Sequence, residues 1–228
     1  LKNSLIVKGT VIALLLAAVL FFTGCKGKND GKVEDEGIIE YETKAVDENH
    51  PWAGMAPSTA TLKFKGDKFI MEMSTMGMFN TMFICDQTNK TLVQMVKFLD
   101  VKQACIETEK DIKQDNSEYK LKCEECTETK VIAGYKCNKV KVSMVNDPSV
   151  VFEAYYTKDM QAENVNELSP YAGIKGMLMQ YRLKKMGLEM QFTAKSVTKA
   201  DIEDNAFEIP AYFKIVSKEE IAKIFQSF

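Results

Sequence analysis

Sulfur supplies most of the reactive side chains in this 228-residue chain: six cysteines and thirteen methionines stand beside one histidine and one tryptophan. Cys123-Glu124-Glu125-Cys126 has the spacing of a dithiol redox pair. Such chemistry needs a lowered thiol pKa, and two intervening glutamates push it the other way. The charged loop expected around the motif, inside an antiparallel chain, also lacks the helix start that activates a redox cysteine. Cys105, Cys123, Cys126 and Cys137 are the set for a structural disulfide, joining the 105–126 insertion to Cys137, or for a tetrahedral thiolate zinc site. Zinc sites of that kind draw on two close cysteine pairs, and one is present. Cys85, beside Ile84, reads as a buried apolar residue.

Nine methionines fall in predicted strands or turns: Met71, Met73, Met76, Met78, Met82, Met177, Met179, Met186 and Met190. The Met-x-Met pairs 71/73, 76/78 and 177/179 could aim two soft sulfurs at Cu(I), but no histidine accompanies them. Flexible thioethers suit either ordinary core filling or a cavity for lipid tails. The candidate ligand-binding set is therefore Met71, Met73, Met177, Met179, Tyr181, Met190, Phe192 and Trp52. Trp52, in His50-Pro51-Trp52-Ala53-Gly54, is either a lid over a cavity mouth, a membrane-facing contact or a side chain packed under its loop. His50 has no visible acid or nucleophile partner, and Asp201 with Asp204 reads as turn and cap chemistry. No phosphate-binding loop, dinucleotide-binding glycine pattern, Gly-x-Ser-x-Gly, HExxH or calcium loop occurs. The expectation is a protein that is not an enzyme, with no catalytic residue and no cofactor.

The elements that must position these residues belong to one ordinary globular domain: 46% of residues are hydrophobic, 27% charged, and the formal net charge is −2. Those values exclude a collagen-like, mostly disordered or multi-span membrane chain. Arg182 is the only arginine, and lysine is the weaker reader of phosphates and bases, so no nucleic-acid partner is expected. Period-two alternation dominates from Ile38 onward. Ala60, Leu62 and Phe64 lead through Gly66-Asp67 to Phe69, Met71 and Met73, a hairpin with glycine at the turn. Met82–Cys85 and Leu92–Leu99 form a second pair. Residues 103–122 read as a short helix plus loop. Val140, Val142 and Met144 pair with Phe152, Ala154 and Tyr156, and Met177 to Leu183 pairs with Leu188 to Ala194 across Gly187. Ser217-Lys218-Glu219-Glu220 is a capping box that starts a terminal helix. About nine strands and two or three small helices make an α+β, mainly antiparallel β fold with one sheet face covered.

Lys2 and Lys8 precede an apolar run, Val11 to Phe22, that is too short to span a bilayer and closes on Thr23-Gly24-Cys25. Residues 1–24 therefore read as a signal peptide, and 22–25 resemble the lipobox of bacterial lipoproteins, with Phe22 where leucine is usual. The resemblance implies lipidation of Cys25, with the membrane as partner through that N-terminal lipid. Polar, glycine-rich residues 25–36 read as a flexible tether. Lys26, in place of a retention aspartate, favours the outer membrane, and the lack of an acidic run favours its periplasmic face. Lipidation leaves five cysteines, an odd number for an oxidising compartment.

Gly37-Ile38-Ile39-Glu40-Tyr41, Lys65-Gly66-Asp67-Lys68-Phe69, Ile132-Ala133-Gly134-Tyr135-Lys136-Cys137 and Phe207-Glu208-Ile209-Pro210-Ala211-Tyr212 together resemble a Bacteroidetes-type lipoprotein family with a domain of unknown function. That family is similar to the LolA/LolB-like superfamily. The resemblance covers most of residues 37 to 216 and implies a single LolA-like domain over 37–228. It implies a curved half-barrel of about nine strands with helices across the concave face, enclosing acyl chains. Its motifs fix turns and strand ends, so no ligand contact is carried over. The expected function is a membrane-anchored envelope lipoprotein that binds a hydrophobic ligand or acyl chains. The alternatives are a protein–protein interaction module of an envelope complex, or a sulfur-based metal or redox sensor.

Overall fold

The computed structural model describes residues 35–77, 79–185 and 187–226. The signal peptide, Cys25, the tether as far as residue 34, Met78 and Met186 lie outside the described residues.

Alternation builds the strands as the side-chain pattern requires. In β1 (Glu36–Ala45), Ile39, Tyr41 and Thr43 are buried while Glu40 and Glu42 face water. β2 (Thr59–Lys65) and β3 (Lys68–Thr75) form the expected hairpin, with Lys65 opposite Lys68 and Gly66 at φ +55. β4 (Phe79–Asp86), β5 (Thr91–Phe98) and β6 (Val101–Glu107) continue the meander, and helix α1 (Glu109–Glu118) follows. Then come β7 (Leu121–Ile132), β8 (Tyr135–Met144), β9 (Val151–Thr157), β10 (Met177–Lys185), β11 (Leu188–Thr198), the two-residue β12 (Lys214–Ile215) and helix α2 (Lys218–Gln226). All lie in one 12-stranded sheet of order β12-β6-β5-β4-β3-β2-β1-β11-β10-β9-β8-β7, antiparallel except where β12 joins β6.

This overturns the expected half-barrel of about nine strands with helices laid across its concave face. The sheet is a single open one of twelve strands, with two α-helices among the described residues. The three strands absent from the expectation are β6, β7 and β12. In β6 the inward positions are Ala104, Cys105 and Glu107, while the large apolar residues Val101 and Ile106 are exposed, so no apolar face announces the strand. β7 is an edge strand whose Glu124, Glu125, Thr127 and Glu128 are all exposed. Charge along an edge strand discourages pairing with another chain. β12 is too short to carry a period.

What covers the main face is irregular chain. The principal core gathers Ile39, Phe64, Val140, Tyr156 and Met179 with Met160, Ala162, Val165, Tyr171 and Ile174 of the segment 158–176. That segment is a series of turns closed by i to i+3 bonds, among them Glu167 N–H to Asn164 O and Ser169 N–H to Asn166 O. Its apolar residues Val165, Leu168, Tyr171 and Ile174 therefore recur every third position. Alternate residues of the same strands, including Ile70, Ile84, Val93 and Met95, form a smaller core with Phe213. α2 starts at the expected capping box, in which Glu220 N–H donates to Ser217 Oγ at 3.3 Å and Ser217 N–H to the Glu220 carboxylate at 3.2 Å. It packs Ile221 on Val96 and Cys105. Among the described residues, no helix is long and apolar enough to cross a membrane.

A candidate ligand cavity

The main sheet face and its cover do not close on each other completely. Between them lies a cavity of about 200 Å³. Seven strands contribute, through Tyr41, Leu62, Met71, Phe83, Leu92, Tyr181 and Phe192. Val165, Leu168 and Tyr171 come from the covering segment, Trp52 and Met55 from the loop before β2, and Phe225 from α2.

Seven of the eight expected ligand residues line this space: Met71, Met73, Met177, Tyr181, Met190, Phe192 and Trp52. Met179 does not, being fully buried in the core. The pairing of β10 with β9 shifts register between Leu178 and Gln180, which breaks the alternation Met179 was assigned from. Trp52 is half-buried on the lining, and its backbone N–H donates to His50 Nδ1 at 3.2 Å, so the histidine serves the turn. Asp204 pairs with Lys65 at 2.9 Å.

The covering segment is clamped by polar side chains that the sequence reading passed over. Gln87 Nε2 donates to Val165 O at 2.6 Å while its Oε1 accepts from Leu168 N–H at 3.2 Å. Asn166 Nδ2 donates to Ile174 O at 2.9 Å and Gly176 O at 2.8 Å. Asn116 of α1 reaches Leu168 O at 3.1 Å. The signal available for this segment was the three-residue apolar spacing from Val165 to Ile174.

Aromatic rings order one wall. Tyr181 stacks on Phe192 and meets Tyr41 and Tyr171 edge-on at 5.9 and 6.0 Å. Tyr41 OH donates to Leu178 O at 2.7 Å and Tyr171 OH to Arg182 O at 2.6 Å. Burial raises all three phenols above their usual range, which keeps them neutral donors.

Lys185, also on the lining, opens a charged cluster. Its Nζ lies 3.1 Å from Asp115, Lys218 Nζ lies 2.6 Å from Asp115, and Lys218 is 3.9 Å from Glu107, whose side chain is 1% exposed. Burial raises the Glu107 carboxyl against the pull of Lys185 and Lys218. Burial works the same way on Asp115, but its hydrogen bond from Lys218 and the charge of Lys185 outweigh it and hold that carboxyl low.

The cysteines are not assembled. Cys123 and Cys126 lie in strand β7 rather than in a loop, Cys123 opposite Val142 and Cys137 opposite Lys130. Cys105 lies in β6, toward the other end of the sheet, beneath α2. All five described cysteines are free thiols. Burial pushes Cys123 and Cys137 up to about 11 and Cys85 up to about 12. Such thiols are poor nucleophiles at neutral pH. Among the described residues no group of three or more His, Cys, Asp or Glu side chains is placed to hold a metal ion.

No protein-family model and no curated protein sequence matches the chain. Among solved structures it is similar to PNGF-II, with a TM-score of 0.50 and 15% identity over 83% of this chain and 32% of that one. It is also similar to a chain of the Pseudomonas aeruginosa MucA/MucB complex, with a TM-score of 0.34 and 11% identity over 82% of this chain and 59% of that one. The first is a likeness of fold alone, and the second is too loose to support an argument. The chain thus spans about a third of PNGF-II and under two thirds of the second chain.

Proposed function

We propose that the protein is a lipid-anchored envelope protein, not an enzyme, whose cavity binds a hydrophobic ligand such as lipid acyl chains. The observation that carries this reading is the cavity itself. Its methionine and aromatic lining offers a conformable apolar surface, and its few polar side chains are mostly spent on clamping the cover. Binding would exchange water contacts for that surface, at about 25 cal/mol per Å² of apolar area buried. The anchor and the periplasmic face of the outer membrane are proposed from Lys2, Lys8, the run from Val11 to Phe22, Cys25 and Lys26. An interaction module with a filled interior is less favoured, because an interior filled by its own side chains would leave no such space.

A fluorescent long-chain alcohol tests the reading, with Trp52, the single tryptophan, as energy donor on the cavity wall. Saturable quenching of Trp52 that unlabelled hexadecan-1-ol reverses is expected. Quenching that never saturates would overturn the cavity as a binding site.

A further inference from the structure

The cavity has three lining tyrosines, and they are not equivalent. Tyr41 and Tyr171 give their hydroxyls to backbone carbonyls, as described above. Tyr181 is 6% exposed, with its ring held by Phe192, Tyr41 and Tyr171, and among the described residues its hydroxyl makes no hydrogen bond. The fully enclosed oxygens without a partner among the described residues belong to Gln103 and Glu107, so the Tyr181 hydroxyl opens into the cavity, where an acceptor on the ligand meets it in an apolar setting that strengthens the bond.

We propose that the Tyr181 hydroxyl is the polar anchor of the cavity, and that the ligand is a neutral lipid presenting a hydroxyl or ester oxygen to it rather than a free carboxylate. This rests on the cavity being a ligand site. The preference for a neutral oxygen follows from the charges on the wall. Lys185 is the cation on the lining, and it is committed to Asp115. The cluster it belongs to, Lys185 and Lys218 with Asp115 and Glu107, is balanced two against two. A carboxylate entering the cavity would find no uncompensated positive charge and would bear its own desolvation cost. An alcohol or ester oxygen accepts the phenolic hydrogen without that cost. Thr81, on β4, is a second lining hydroxyl without a partner among the described residues. In the sheet order β3, β2, β1 and β11 lie between its strand and β10, which carries Tyr181, so the two hydroxyls can be tested apart.

The test titrates decan-1-ol, decanoate and 1-chlorodecane into the full mature chain held in amphipol, read by Trp52 fluorescence, for the parent, Y181F and T81V. Comparing variants cancels partitioning of each probe into the polymer. Decan-1-ol is expected to bind more tightly than decanoate. Tyr181→Phe keeps the ring stack, so it should weaken decan-1-ol about fivefold, the order of one hydrogen bond, while leaving 1-chlorodecane unchanged. If all three bind and Y181F leaves their ratios as in the parent, or only T81V changes them, the Tyr181 anchor is overturned while the cavity reading stands. Tighter binding of decanoate than of decan-1-ol also overturns it. If none of the three binds, the cavity reading falls, and the anchor with it.

Discussion

Tyr181 and Phe192 face each other directly across the β10–β11 pair, their ring centroids 4.9 Å apart and their planes 6° from parallel. Cross-strand pairing fixes this stack, since residues opposite each other in an antiparallel ladder hold their side chains side by side on one face. The stack is both a piece of the core and a piece of the cavity wall, so stability and binding meet at the same two rings.

Truncating the partner ring should therefore be costly. Phe192→Ala removes a buried aromatic and is expected to destabilise the fold by about 3 kcal/mol or more, measured by urea denaturation. A loss well under 1 kcal/mol would show that the wall collapses freely into the cavity and that the open volume is not held by the fold.

The cover depends on one backbone position. Gly176 ends the segment 158–176 at φ +137, and a Cβ there would stand 2.3 Å from Thr157 O, a backbone atom that cannot step aside. Gly176→Ala should cost about 2 kcal/mol or more, with hydrogen exchange across 158–176 rising ahead of that in β8 and β9. Unchanged protection in the segment would mean that the cover is not tied to this turn.

The charged cluster predicts a dependence on pH. Glu107 is raised by burial, with Asp115 and Asp111 adding to the rise and Lys185 and Lys218 opposing it. A carboxyl raised in the folded state contributes fully below its unfolded value, about 4.3, and that contribution is lost as pH rises through the folded value. Glu107→Gln should thus melt a few degrees above the parent at pH 8, as a rough expectation, and the two should converge near pH 4. Asp115, held low, weakens both proteins alike in more acidic solution. A parent more stable than the variant at pH 8 would contradict this.

Much of the sheet was legible because it obeys a two-residue period. Tyr41, Leu62 and Phe64 alternate with polar neighbours, and each lies in the main core. The same rule carried Met71, Met73, Met177, Tyr181, Met190 and Phe192 onto the cavity wall. It failed where side chains do not report burial. Glu107 is buried and Ile106 exposed in β6, and β7 keeps eight of its twelve residues in water, so neither reads as a strand. Met179 was misplaced by a register shift that no local pattern encodes. The cover could not be read because its turns are held by distant partners: Gln87 lies 78 residues from Val165, and Asn116 lies 52 residues from Leu168. With β6, β7 and β12 carrying no apolar alternation, the sheet is larger than its pattern predicts, and turns rather than helices cover it.

The central claim is that this cavity holds a hydrophobic ligand. Native mass spectrometry of the mature protein, taken from the envelope in which it is made, tests it most directly. The account predicts a bound species whose extra mass is that of a neutral lipid, reduced in occupancy by Tyr181→Phe. Repeated recovery of the protein with nothing bound, together with no uptake of added lipid, would contradict it.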